Sequence, residues 1–223
     1  MELIEYPDRE ILAMRLADTL AASLRSCLSL HDRASFCVTG GSSPAEVYGI
    51  LSGVPMEWNR VDVLLNDERW VPEDDARSNT RLIRRTLLTD KAAAANFVPM
   101  YADTATPEDG IPSLMDAYDG KFPISLLLLG MGADGHTASL FPEGDNLAVA
   151  LEDEAPILMG MRAPGADEPR ITLTGRVLTD AMETHVLIMG DDKRTRLEAA
   201  AGADPIEQPI AAVLPNATVH WAA

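Results

Sequence analysis

The chain has 223 residues, 47% of them hydrophobic, enough to bury the core of one α/β domain. Its 35 acidic against 18 basic side chains give a formal charge of −17 spread along the chain, which repels polyanions and excludes nucleic acid or an anionic membrane as a natural partner. The acidic start MELIEYPDRE has no apolar signal core, no apolar run approaches the roughly 18 residues of a membrane span, and Cys27 and Cys37 lack metal-ligand spacing. These features predict a cytoplasmic protein with two buried reduced thiols, one compact domain over residues 1–223.

The first element in chain order is a helix. Leu12, Leu16, Leu20, Leu24 and Leu28 fall four apart, with Ala13, Ala17 and Ala21 beside them, the stripe of an amphipathic helix turned to a core. An apolar run at 35–39 then leads into Thr39-Gly40-Gly41-Ser42-Ser43-Pro44. Its glycines let backbone N–H groups approach a ligand, Ser43 is placed to cap a helix over 44–51, and Pro44 suits the first helical position. That pattern suits a phosphate and equally an ordinary capped turn. A second run, 61–66, passes directly into Asp67-Glu68-Arg69-Trp70-Val71-Pro72. Three consecutive charges after a buried strand read as a solvated loop or as a site. Ser78-Asn79 begins a helix reaching residue 88, and another helix is predicted over 107–118.

The strand 124–129 runs into Gly130-Met131-Gly132-Ala133-Asp134-Gly135, the spacing G-x-G-x-x-G of a dinucleotide fingerprint. Asp134 would set a carboxylate beside the pyrophosphate, an unfavourable Coulomb contact. An acid two residues before His136 suits instead a site where an imidazole takes a proton from water. The other histidines, His31, His185 and His220, read as surface or capping residues. Further apolar runs at 156–161, 170–174 and 185–189 precede a helix over 192–201. Arg170 opens one of these runs and Lys193 follows another, positions from which a cation can hold a phosphate against the net negative field. Strands alternating with helices predict a mainly parallel sheet covered on both faces, with ligands at the carboxyl ends of its strands. The polar stretches 72–77 and 143–155 read as loops, the second a candidate for mobility.

In this order and at these separations, TGGSSPAEVY, NDERWVPEDDARSN and LLGMGADGHTASLFP resemble the 6-phosphogluconolactonase family, and Arg170, Lys193 and the terminal PNATVHW extend the likeness over most of the chain. The resemblance implies a three-layer open sheet of Rossmann-like type, shared with glucosamine-6-phosphate deaminase and ribose-5-phosphate isomerase. It also implies hydrolysis of 6-phospho-D-glucono-1,5-lactone to 6-phosphogluconate without metal or organic cofactor. His136 then activates water, Asp134 assists it, and Arg69 stabilises charge on the lactone carbonyl oxygen. Gly41, Ser42, Ser43 and Asp67 fall to substrate and phosphate binding, with Arg170 and Lys193 completing the phosphate shell. The partner implied is this small phosphorylated lactone, and the chain is expected as a monomer or weak homodimer.

Two positions depart from the family pattern or its relatives. Asp75-Ala76-Arg77 stand where the family often carries His-Pro-Asp before Ser-Asn, and Phe141 stands where the deaminases carry a glutamate before the proline. Phe141 is expected to pack in the core beside Leu140. Ser139 has no G-x-S-x-G elbow and no evident activating partner. An amino-sugar-phosphate deaminase or isomerase and a non-catalytic sugar-phosphate sensor are the other readings of the same fold.

Overall fold

The computed structural model describes residues 1–223. After β1 (Glu2–Glu5) the Asp8 carboxylate accepts the Ile11 N–H and caps α1 (Arg9–Leu30). The predicted stripe of leucines and alanines is the buried face of this helix. There follow β2 (Ala34–Val38), α2 (Ser43–Ser52), β3 (Val61–Leu65), β4 (Asp67–Arg69), α3 (Asn79–Thr86), β5 (Asn96–Phe97), α4 (Pro107–Tyr118) and β6 (Leu126–Gly130). The chain ends through α5 (Leu147–Ala150), β7 (Leu158–Met161), β8 (Arg170–Leu173), α6 (Gly175–Thr179), β9 (Thr184–Met189), α7 (Asp191–Ala200) and β10 (Ala217–Ala222).

Seven strands form a parallel sheet in the order β1-β10-β9-β6-β2-β3-β5. Parallel strands need cover on both faces, and every residue of β2 and β3 is buried. One continuous cluster of 54 buried hydrophobic residues joins this sheet to its helices, so the apolar runs seen in the sequence serve a common core. From β2 the chain moves outward to β3, and from β6 it moves the other way to β9. A crevice therefore opens at the carboxyl ends of β2 and β6, where ligands enter sheets of this kind.

Several expectations are corrected. The runs at 156–161 and 170–174 supply β7 and β8, which leave the parallel sheet and form a separate antiparallel one, β4-β8-β7. The charged run after β3 is itself the third member of that sheet, because Asn66 turns the chain and Leu173 N–H bonds the Asn66 carbonyl. The 143–155 stretch contains α5 and is anchored: Asp145 accepts the Arg162 N–H, and Asn146 donates to the Gly160 carbonyl. Cys37 is buried but Cys27 only half-buried.

His185 and His220 are not surface residues. Both are buried in one hydrogen-bonded chain, whereas His31 sits exposed at the end of α1 as expected. Glu183 Oε1 lies 2.8 Å from His185 Nε2 and 2.7 Å from the Ser23 hydroxyl; His185 Nδ1 lies 2.9 Å from His220 Nε2; and His220 Nδ1 lies 2.8 Å from the Tyr6 hydroxyl. With Glu183 ionised and both imidazoles neutral, each proton has one place: Tyr6 donates to His220, His220 to His185, and His185 to Glu183. Burial, reinforced by the neighbouring His185, pushes the His220 imidazole down from 6.5 to about 4. The unfolded chain therefore binds this proton near 6.5 and the folded chain only near 4, so stability falls as pH drops through that interval. His220→Gln is expected to flatten the dependence of urea-unfolding free energy on pH between those limits; an unchanged slope would place the dependence elsewhere.

Candidate active site

The ends of β2, β3, β6 and β9 and the start of β8 surround one cleft of about 400 Å³. One wall grows from the crossing of β3 into β4. Strand alternation turns Asp67 and Arg69 to the cleft and Glu68 away from it. Glu68 is fully buried. Its Oε1 accepts the N–H groups of Arg69 and Asn79 at 2.8 and 2.7 Å, and its Oε2 accepts the Thr80 N–H at 2.7 Å and the Ser78 hydroxyl at 3.0 Å. A carboxylate at the start of α3 meets its unpaired N–H groups and the positive end of its dipole. Burial nevertheless pushes the Glu68 carboxyl up, against these three N–H donors. Ser78 also caps the helix as predicted, accepting the Arg81 N–H.

Because Ser78 and Glu68 satisfy the start of α3, the side chain of Asn79 is free for another task. Its Nδ2 donates to the Asp67 carbonyl and carboxylate at 2.9 and 3.2 Å, and its Oδ1 accepts from Arg69 Nη1 at 3.1 Å. Asn79 thus bridges the acid and the guanidinium. In the sequence Asn79 reads as part of a helix start, and the signal for more is an amide directly after a serine already sufficient as cap. Ser139, fully buried, donates to Asp67 Oδ2 at 2.5 Å and so fixes the carboxylate instead of acting as a nucleophile.

The opposite wall holds His136. No helix follows the glycines after β6; the chain makes a turn in which Gly132 N–H bonds the His136 carbonyl, and Arg196 holds the Ala133 carbonyl. A dinucleotide fingerprint needs a helix there. Asp134 Oδ1 accepts the His136 N–H at 3.1 Å and lies 2.6 Å from His136 Nδ1, leaving Nε2 as the free ring nitrogen. Burial would raise the Asp134 carboxyl, but the hydrogen bond and charge of His136 outweigh it and hold the group at about 2. Asp134 itself stands behind the imidazole, outside the cleft lining. A Cβ on Gly132 would overlap both the His136 ring and the Asp134 carboxylate, so this glycine makes room for the dyad.

Phe141 is half-buried, packing against the core and also facing the cleft. It lines the cleft with its ring 4.6 Å from that of His136 and the Arg170 guanidinium 5.8 Å from its centroid. Arg170 stands directly opposite Arg69 in the β4–β8 ladder, and both Nε atoms are buried without a partner. Like charges in such a register repel. At the third side Gly41 has φ +98°, and the helix α2 begins one residue earlier than predicted: Ser42 is the cap, through its backbone alone, and Ser43 the first helical residue. Lys193 lies in the first turn of α7, where burial pushes its ammonium down. Arg69, Arg170 and Lys193 all line the cleft, and none forms an ion pair. Of the nine sequence-derived site residues, all but Asp134 meet at the cleft. No three His, Cys, Asp or Glu side chains gather as a metal-binding cluster.

A parallel α/β sheet whose switch point carries an imidazole–carboxylate pair facing unpaired cations defines a protein built for a small anionic ligand. Residues 7–221 match the family model of glucosamine-6-phosphate isomerases/6-phosphogluconolactonase, and the chain belongs to that family. It is 41% identical to a 6-phosphogluconolactonase of Rhizobium meliloti (strain 1021) over 100% of this chain and 98% of that protein. It is 40% identical to one of Mesorhizobium japonicum, over 97% and 93% of the two chains. The crystal structure of a 6-phosphogluconolactonase from Shewanella baltica OS155 superimposes with a TM-score of 0.95 at 30% identity, covering 100% of this chain and 98% of that one. No helix is long and apolar enough to cross a membrane.

A Cβ added at Gly40 would collide with the Asn79 carboxamide. Gly40→Ala is therefore expected to destabilise the protein by about 1–3 kcal/mol, and Asn79→Ala in the same chain to relieve part of that loss by removing the obstacle. Urea unfolding of the single and double variants tests this; strictly additive losses would show that the two residues are not in contact.

Proposed function

We propose that this chain, acting as one cytoplasmic domain over residues 1–223, hydrolyses 6-phospho-D-glucono-1,5-lactone to 6-phosphogluconate. The observation that carries the reading is the pairing, across one cleft, of the His136–Asp134 dyad with the cross-strand arginines Arg69 and Arg170. In a protein of net charge −17, three half-buried cations left without carboxylate partners in one cleft suit a ligand that brings its own negative charge. The full-length likeness to proteins named 6-phosphogluconolactonase supports the same substrate.

In this mechanism the phosphate rests on the N-terminus of α2 at Gly41, Ser42 and Ser43, held by Arg170 and Lys193. His136 Nε2 takes a proton from water as the water oxygen bonds to the lactone carbonyl carbon. Asp134, ionised well below neutral pH, accepts the hydrogen bond from Nδ1–H and stabilises the imidazolium. Arg69, with Asn79 holding its Nη1, faces the developing oxyanion. Collapse of the tetrahedral intermediate breaks the bond to the ring oxygen, which receives the proton back from His136. Asp67, fixed by Ser139 and Asn79, serves to orient the sugar hydroxyls. Phe141 occupies the place of the deaminase glutamate and has no proton to transfer, which supports lactone hydrolysis over amino-sugar deamination.

A coupled assay that generates the lactone from glucose 6-phosphate and follows acid release above the spontaneous rate tests the activity. His136→Ala is expected to lower kcat by about 10²–10⁴-fold with little change in KM. Arg170→Ala and Lys193→Ala are expected to raise KM for the phosphorylated lactone and to leave a non-phosphorylated lactone nearly unaffected; identical behaviour of the two classes would abolish the division into chemistry and anchoring. Dialysis against a strong chelator is expected to leave the rate unchanged, and glucosamine 6-phosphate to yield no ammonia. Loss of rate restored by zinc or magnesium, or ammonia release at a rate comparable to hydrolysis, would reassign the reaction.

A further inference from the structure

The stretch Asp75-Ala76-Arg77, which departs from the family pattern, lies at the mouth of the cleft, and Arg77 there touches both of its walls. Its carbonyl accepts from Arg69 Nη1 at 2.6 Å. Its guanidinium is held by Asp75, with Nε 3.1 Å from Oδ1 and Nη2 3.1 Å from Oδ2, while the Arg77 N–H donates to the same carboxylate at 2.8 Å. Nη1 then reaches across to Glu168 Oε2 at 3.1 Å. Glu168 belongs to the segment between β7 and β8, whose Gly165 and Ala166 wall the cleft and which delivers Arg170 two residues later.

That segment is tied at its two ends, where Arg162 bonds Asp145 and the Pro169 carbonyl accepts the Trp70 N–H. Between Ala163 and Glu168 the Arg77–Glu168 pair is the only hydrogen bond or ion pair to another part of the chain. The Glu168 side chain is only 11% exposed although Arg77 is 55% exposed, so the carboxylate is turned inward beneath the guanidinium. An exposed ion pair contributes little to global stability. Here its consequence is positional: it joins the strand end that carries Arg69 to the segment that carries Arg170.

We propose that Arg77 and Glu168 form a clamp across the cleft mouth that sets affinity for the phosphorylated end of the ligand, Arg77 acting as a positioning residue for the 163–168 segment. The proposal rests on the phosphate pole assigned above. An alanine at 77 keeps the carbonyl that holds Arg69, so the chemistry is spared and binding bears the loss.

Steady-state kinetics of Arg77→Ala, Arg77→Lys, Glu168→Gln and the double variant test the clamp. Arg77→Ala and Glu168→Gln are each expected to raise KM for the phosphorylated lactone about threefold to tenfold with kcat within about twofold, the size of effect a loosened ligand wall produces without loss of a reacting group. The double variant is expected to be no worse than either single one, Arg77→Lys to recover part of the loss, and a non-phosphorylated lactone to show no change. Unchanged KM, additive losses, or an equal loss with the non-phosphorylated lactone would overturn the clamp. Should the wild-type protein fail to accelerate lactone hydrolysis, the activity assigned above falls by itself. The clamp is then read from calorimetric affinity for 6-phosphogluconate and inorganic phosphate and from proteolysis within 163–168, and it fails if Arg77→Ala changes neither.

Discussion

The buried carboxylate of Glu68 is the interaction on which the cleft depends. It receives two hydrogen bonds on each oxygen, from β4, Ser78 and the first turn of α3, and so welds the strand that carries Asp67 and Arg69 to the helix that carries Asn79. A buried charge is stable only when its hydrogen bonds are complete, and the geometry that completes them here has few alternatives. Because residues 67 and 69 alternate with 68, fixing the middle residue aims its neighbours at the ligand. Burial pushes the Glu68 carboxyl up, and the backbone N–H donors work against it.

The electrostatics of the site turn on two arginines, Arg69 and Arg170, set opposite each other with buried Nε atoms that lack partners. Arg33, Arg60, Arg77, Arg84, Arg162 and Arg194 pair with carboxylates, whereas Arg9, Arg15, Arg25, Arg81, Arg85, Arg176 and Arg196 outside the cleft do not. The two cleft arginines also form no ion pair, and the β4–β8 register sets them side by side. Repulsion between them is a strain that an entering anion relieves, so binding and local stability are coupled there. Asp67 and Asp134 are held by their own neighbours at positions flanking this cationic centre.

Periodicity made α1 legible, since its leucine stripe is a one-dimensional signal of a buried face. The ordered trio of loop motifs likewise located the cleft, because strand ends in a parallel sheet converge whatever the details. Pairing partners were not legible. An apolar four-residue run reads alike whether it joins a parallel sheet or turns away into an antiparallel one, so the runs that form β7 and β8 read as members of the parallel sheet. Nor does a single letter tell which way a side chain points: Phe141 reads as core beside Leu140 and does pack against the core, yet after the tight turn at Ala138, φ +49°, its ring also faces the cleft. Asn79 escaped notice because its partner Arg69 is ten residues away across a sheet crossing. His185 and His220 read as isolated polar residues since the bond between them spans 35 positions.

The same two histidines lie beside a pairing of far greater span. Strand β1 at the start of the sequence joins the sheet only through β10 near its end, with Glu2 opposite Thr218 and Glu5 opposite Trp221. Closing so long a loop carries the largest entropic cost of any strand pairing in the molecule, whereas β9 and β10 are joined through the nearby α7 and can associate earlier. The β1 edge is accordingly the most sequence-distant seam of the sheet, paired through β10 alone. Tyr6, by donating its hydroxyl to His220, bolts the residue just beyond β1 to the interior across 214 positions. The Tyr6–His220 bond thus adds a polar contact to an edge strand whose own residues are only partly buried.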